Sequence, residues 1–105
     1  MPLYRVAVMM ACYNRKEKTK RCLESLSKQL EEYSERCIID KYIFDDYSTD
    51  GTYEMIRESF PDLIIIRGDG NNYWCKSMFR LMKITVRKEY DFYLMLNDDV
   101  LFYED

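Results

Sequence analysis

The sequence predicts a three-layer α/β/α fold built on a mainly parallel sheet of strand order 3-2-1-4. Three observations carry that prediction. Four short apolar runs alternate with three stretches whose apolar residues recur at helical spacing, the β-α-β-α-β-α-β pattern of a parallel sheet. Apart from Arg5, the first run is continuously apolar rather than alternating, as a strand covered on both faces is. Turn-forming residues punctuate the junctions.

Residues 3–11 are apolar apart from Arg5 and read as the central strand. The polar stretch Asn14-Arg15-Lys16-Glu17-Lys18 breaks it; Arg15, Lys16 and Lys18 could approach an anion, but by default they are a solvated first helical turn. Cys22, Leu23, Leu26, Leu30 and Tyr33 then share one helical stripe, with Lys and Glu opposite. Cys37-Ile38-Ile39 and Tyr42-Ile43-Phe44 form the second strand. Ser48-Thr49-Asp50-Gly51 is turn and capping chemistry before a second helix with Tyr53, Ile56 and Phe60 inward. Pro61 ends it, and Leu63-Ile64-Ile65-Ile66 is a β-branched third strand. After the loop Gly68-Asp69-Gly70-Asn71-Asn72, a third helix spans residues 73–88 with Trp74, Met78, Leu81, Met82 and Val86 inward. The last strand is residues 91–96. Right-handed crossovers put the topological switch between strands 1 and 4, and ligands bind at such a switch, beyond the carboxyl ends of the strands.

At 105 residues the chain is one domain or part of one, with 48% hydrophobic and 33% charged residues. A net charge of −3 disfavours a general nucleic-acid binder, so no nucleic-acid partner is expected. Cys12, Cys22, Cys37 and Cys75 form no CxxC pair and there is no His, which disfavours zinc and favours buried free thiols in a reducing compartment. No apolar run approaches the roughly 18 residues of a membrane helix, and the first residues lack signal-peptide anatomy. These points together give a cytoplasmic expectation.

Two acid pairs follow strands: Asp45-Asp46 after Tyr42-Ile43-Phe44, and Asp98-Asp99 after the fourth apolar run. Two carboxylates about 4 Å apart repel by on the order of 4 kcal/mol at an effective dielectric of about 20. Either turn and cap hydrogen bonds offset this, or a divalent cation held by oxygen ligands does. The predicted topology brings both pairs to one rim, which favours a Mg2+ or Mn2+ ion shared with a ligand diphosphate. An Asp after strand 2 can accept from a nucleobase imide or ribose hydroxyl. Tyr13 offers a stacking face or a rim aromatic, and Lys76 offers a phosphate contact or a solvated lysine. The Gly68-Asp69-Gly70 segment lacks both the P-loop ending and the dinucleotide-fingerprint spacing. A phosphoacceptor receiver would place its acid pair after strand 1, unlike this chain.

Taken together, these motifs resemble the N-terminal, nucleotide-sugar-binding half of family 2 glycosyltransferases of the GT-A fold. Val6-Ala7-Val8-Met9-Met10-Ala11-Cys12-Tyr13-Asn14-Arg15 is similar to the family's opening strand, with Cys12 where Thr or Ser is usual. Phe44-Asp45-Asp46-Tyr47-Ser48-Thr49-Asp50-Gly51-Thr52 is similar to its Asp-Asp-Gly-Ser signature, with Tyr47 in place of Gly. Leu96-Asn97-Asp98-Asp99-Val100 resembles its DxD-type metal motif as found in rhamnosyl-transferring members. The resemblance implies that Tyr13 and Asp46 contact the base, Asp98 the ribose or sugar, and Asp99 a divalent metal on the diphosphate. Lys76 falls where the family often has a basic residue. It also implies a nucleotide-diphosphate sugar donor and inverting transfer to a saccharide or lipid-linked acceptor, in the cytoplasm or peripherally at the inner membrane face. No residue matches the family's general base, because the chain ends before the family's acceptor half. The expected unit is therefore a donor-binding subdomain over residues 1–105, with a non-catalytic nucleotide-binding or interaction module as the alternative. Strand 4 is expected at the sheet edge, where its unpaired backbone invites self-association.

Overall fold

The computed structural model describes residues 3–98. Strand β1 (Tyr4–Cys12), helix α1 (Lys16–Leu30), β2 (Cys37–Asp45), α2 (Thr52–Ser59), β3 (Ile64–Arg67), α3 (Tyr73–Thr85) and β4 (Phe92–Asn97) follow one another. The four strands form one sheet of order β3-β2-β1-β4, and all three pairings are parallel. The expected strand order and switch between β1 and β4 are therefore present.

Side-chain alternation divides the core in two. Ala7, Met9 and Ala11 of β1 join Tyr42 and Phe44 of β2 beneath Met78 and Leu81 of α3. Met10, Cys12 and Ile43 point to the opposite face and pack with Cys22 and Leu23 of α1 and Met55 and Ile56 of α2. Because successive residues of a strand face opposite sides, one apolar run supplies both layers.

Several boundaries differ from the sequence expectation. The helix begins at Lys16, inside the stretch expected to separate it from β1, because Asp50 from the next loop accepts the Lys16 N–H at 3.1 Å. Strand β2 continues through Asp40 and Lys41, since its pairing with β1 is unbroken from Tyr4↔Cys37 to Cys12↔Asp45. Helix α3 stops at Thr85, a 3-10 turn covers Val86–Lys88, and Glu89 turns the chain at φ 54°. Trp74 and Val86 are not core residues: they are 47% and 55% exposed, and Ser77 and Thr85 are buried instead. Cys12 and Cys22 are buried as expected, but Cys37 is half-buried and Cys75 exposed.

Candidate functional site

The loops after β1, β2 and β3 meet above the carboxyl ends of the strands and are tied together by polar side chains. Asn14 sits at φ 48°, a left-handed conformation that Asn tolerates better than most residues. Its N–H donates to Ser48 Oγ at 2.9 Å, and its Oδ1 accepts the Thr49 N–H at 2.7 Å. Asp50 receives the N–H groups of Lys16 and Thr52 and the Thr52 hydroxyl, so one carboxylate caps both α1 and α2. Neither helix has a cap from its own N-cap side chain. Burial raises the Asp50 pKa, but these hydrogen bonds outweigh it and hold the carboxyl below its ordinary value.

The acid pair after β2 splits into two tasks. Asp45 is fully buried and turns inward, accepting from the Ser48 hydroxyl and N–H and from the Cys12 thiol. Burial first, and the Asp45 charge second, push the Cys12 pKa far upward, so the sulfur remains a protonated donor. Asp46 turns the other way. Its Oδ1 accepts Gly70 N–H and Asn72 Nδ2, and its Oδ2 accepts the N–H groups of Asn72 and Tyr73, all at 2.9–3.0 Å. Burial raises its pKa too, yet these donors outweigh it and the net shift is downward. The loop amides that superficially suggest a phosphate cradle thus hold the protein's own carboxylate at the start of α3.

A carboxylate has about four lone-pair sites, and four protein donors occupy those of Asp46. These four donors tie Asp46 to the loop that leads into α3. Gly68 is part of the same packing: a Cβ there would lie 2.5 Å from the Phe44 ring and 2.7 Å from Asp46 Oδ1. Tyr47, in the position of the family's Gly, adopts φ 65°, and the Arg67 guanidinium lies 4.8 Å from its ring centroid.

A crevice of about 600 Å3 opens at the switch point between β1 and β4. Ala11, Cys12 and Tyr13 line it from β1, Asp46 and Gly70 from the loops, Tyr73, Trp74 and Ser77 from α3, and Asn97 and Asp98 from the end of β4. Its volume is in the range of small-molecule sites. Asp98 is buried; Thr19 Oγ1 donates to its Oδ2 at 3.4 Å, and Arg15 Nη1 lies 3.6 Å from its Oδ1. The structure thus brings Tyr13, Asp46 and Asp98 together, while Asp45 turns inward. Asp99 lies outside the described residues.

Lys76 is not brought to this crevice. It lines a separate groove between α3 and β3, because one helical step rotates the side chain by about 100° away from Ser77. Trp74, Tyr73, Arg15 and Ser77 are among the crevice residues that the sequence does not assign there. Trp74 shares the apolar stripe of α3 by spacing, but it is about half exposed and lines the crevice. Tyr73 was not singled out. Arg15 was read as solvated, and Ser77 carried no signal. The Ser77 hydroxyl is fully buried and is the one buried side-chain polar atom without a hydrogen-bond partner among the described residues.

Among the described residues, no three side chains are grouped so as to hold a metal ion by themselves. Asp98 is nevertheless compatible with one, since Mg2+ and Mn2+ sites use one or two carboxylates completed by ligand phosphates. Such an ion would need Asp99 or the ligand to complete its shell.

Fold and crevice define an α/β protein with a crevice at the switch point of a parallel sheet. The sequence profile of glycosyl transferase family 2 matches residues 7–105, and the chain belongs to that family. Its fold is similar to that of the mannosyltransferase PcManGT from Pyrobaculum calidifontis, solved in complex with GDP-Man and Mn2+. That likeness has a TM-score of 0.75 and 19% identity over 99% of this chain and 30% of that one. TarS of S. aureus is also similar, with TM-score 0.71 and 23% identity over 90% of this chain and 16% of that one. The chain thus spans less than a third of either protein. A search of curated proteins found no sequence match. The three-layer parallel architecture is that of GT-A glycosyltransferases.

Proposed function

We propose that this chain is the donor-binding part of an inverting, metal-dependent glycosyltransferase that takes a nucleotide-diphosphate sugar. The observation that carries the proposal is the crevice at the switch point, with aromatic faces at Tyr13, Tyr73 and Trp74 and the Asp98 carboxylate at one end. Aromatic faces suit a nucleobase by stacking. The buried Ser77 hydroxyl adds an uncommitted hydrogen-bonding group. Asp98 faces the ribose or sugar, Asp99 holds a Mg2+ or Mn2+ ion on the diphosphate, and Arg15 adds positive charge beside Asp98. When bound, the ion supplies Lewis-acid stabilisation of the departing phosphate. Asp46 acts by fixing the Tyr73 and Trp74 side of the crevice, and Lys76 has no part in donor binding. The acceptor is a saccharide or a lipid-linked saccharide, as in polysaccharide biosynthesis, and the setting is cytoplasmic. No side chain among the described residues is assigned as the general base that inverting transfer requires.

Trp74 is the chain's single tryptophan, so it reports directly on the crevice. Titration with nucleoside diphosphates in the presence of Mn2+ should quench or shift its fluorescence with saturation. Unchanged emission at millimolar nucleotide would refute the reading. Donor hydrolysis or transfer by the chain then separates an enzyme from a non-catalytic module sharing the same crevice.

A further inference from the structure

The outward face of α3 carries charge that donor binding does not use. Between Asp69 and Glu89 the chain has five cations, Lys76, Arg80, Lys83, Arg87 and Lys88, and no carboxylate, although its net charge is −3. Four of them recur at i, i+4, i+7 and i+11, which aligns them on one stripe of the helix and its 3-10 extension. All five are exposed, whereas Ser77, Met78, Leu81 and Thr85 are buried toward the sheet. Among the described residues none of the five is in an ion pair. Arg80 Nε donates to Asn72 Oδ1, and the ammonium groups of Lys83 and Lys88 lie over the Phe79 and Tyr42 rings.

Apolar side chains stand among these cations. Phe79, Ile84 and Val86 are 61%, 37% and 55% exposed. Arg67 extends the positive surface across the groove between α3 and β3, where Asp69 is the one acid among the lining residues. From Lys76 to Lys88 the stripe runs about 18 Å at a rise of about 1.5 Å per residue. A small anion needs donors that converge on a point, and these cations are strung along a line. A nucleic-acid backbone would match the charge but give the protruding Phe79, Ile84 and Val86 no apolar environment. A bilayer with anionic headgroups meets both requirements: surface charge for the cations and an acyl boundary for the apolar side chains.

We propose that the Lys76–Lys88 face of α3 docks on an anionic lipid bilayer. The inward side of the same helix lends Tyr73, Trp74 and Ser77 to the crevice, so docking fixes the donor site beside the membrane surface. Docking is read without nucleotide, so its failure and a failure of donor binding are separate results.

The test is co-sedimentation with phosphatidylcholine vesicles, with and without about one-third phosphatidylglycerol, at about 0.1 M NaCl, where screening is moderate. The wild-type chain should sediment with the anionic vesicles only and be released by about 0.5 M NaCl. The pair K76E/R80E should lower partitioning by on the order of tenfold or more. The pair R21E/R36E makes the same change in net charge elsewhere and should leave partitioning within about twofold. F79S should weaken binding to anionic vesicles severalfold while preserving its salt dependence. Circular dichroism confirms that each variant is folded. No sedimentation of the wild type, equal loss in the two charge pairs, or displacement by inorganic pyrophosphate at constant ionic strength would each overturn the proposal.

Discussion

Replacing Asp46 by Asn changes one oxygen to an amide nitrogen and hardly alters shape, so it isolates what the carboxylate does. The wild-type side chain accepts four hydrogen bonds, from Gly70 N–H, Asn72 N–H, Asn72 Nδ2 and Tyr73 N–H. An amide oxygen can keep two of these, but its NH2 group then faces the other two donors. Leaving two buried donors unsatisfied costs about 1–2 kcal/mol each once partial access to water is allowed, or about 2–4 kcal/mol in total. Loss of negative charge at the start of α3 adds about 0.3–1 kcal/mol. Together these come to about 2–5 kcal/mol, and at about 4 °C per kcal/mol for a domain near this size the melting temperature should fall by about 9–20 °C. Denaturant unfolding at neutral pH measures the free-energy difference. A loss under about 0.5 kcal/mol, the size of an ordinary surface substitution, would refute the organising role given to Asp46. The pH dependence supplies a second check. Because the folded carboxyl lies below its ordinary value of 3.8, its contribution is fully present above that value and is lost as pH falls through the folded pKa. Wild type and Asp46→Asn should therefore converge in stability in acid below that ordinary value and diverge above it.

Other perturbations read other parts of the structure. Asp50→Ala removes the cap of both α1 and α2 and should cost about 1–3 kcal/mol in denaturant unfolding; an effect near zero would mean that water replaces it. Trp74→Ala should weaken nucleoside diphosphate binding by about tenfold or more in calorimetry, as loss of a stacking face does. Its stability should change little, because the ring is 47% exposed. Among the described residues strand β4 pairs only with β1, and it exposes Phe92, Leu94 and Met95, so a second copy is proposed to associate along it at high concentration. Light scattering should then show Leu94→Lys remaining monomeric where the wild type does not; a wild type monomeric throughout would exclude the association.

The strand order could be read from the sequence because each apolar run is bounded by turn residues and parallel crossovers leave few topologies. The meeting of Tyr13, Asp46 and Asp98 followed from that order, since all three stand at carboxyl ends of strands next to the switch. What pattern alone could not supply was the direction of each side chain. Asp45 and Asp46 are adjacent and chemically identical, yet strand alternation sends one to Ser48 and Cys12 and the other to the α3 loop. Trp74 fits the helical period, but periodicity does not show which stripe positions another element covers. Lys76 lies only one residue from Ser77, yet it faces the groove beside β3 rather than the crevice. Asp50 looked like a local cap, and its second duty toward Lys16 joins residues far apart in the chain, which no local pattern encodes.

The central claim is that the crevice binds a nucleotide-diphosphate sugar through a divalent cation at the end of β4. Titration calorimetry of the wild-type chain and Asp99→Ala with nucleoside diphosphates, with and without Mn2+, tests it most directly. The account predicts binding by the wild type that strengthens by about tenfold or more with Mn2+, and an Asp99→Ala variant whose affinity no longer responds to the metal. Wild-type binding indifferent to Mn2+, or an unaltered metal response in Asp99→Ala, would contradict it.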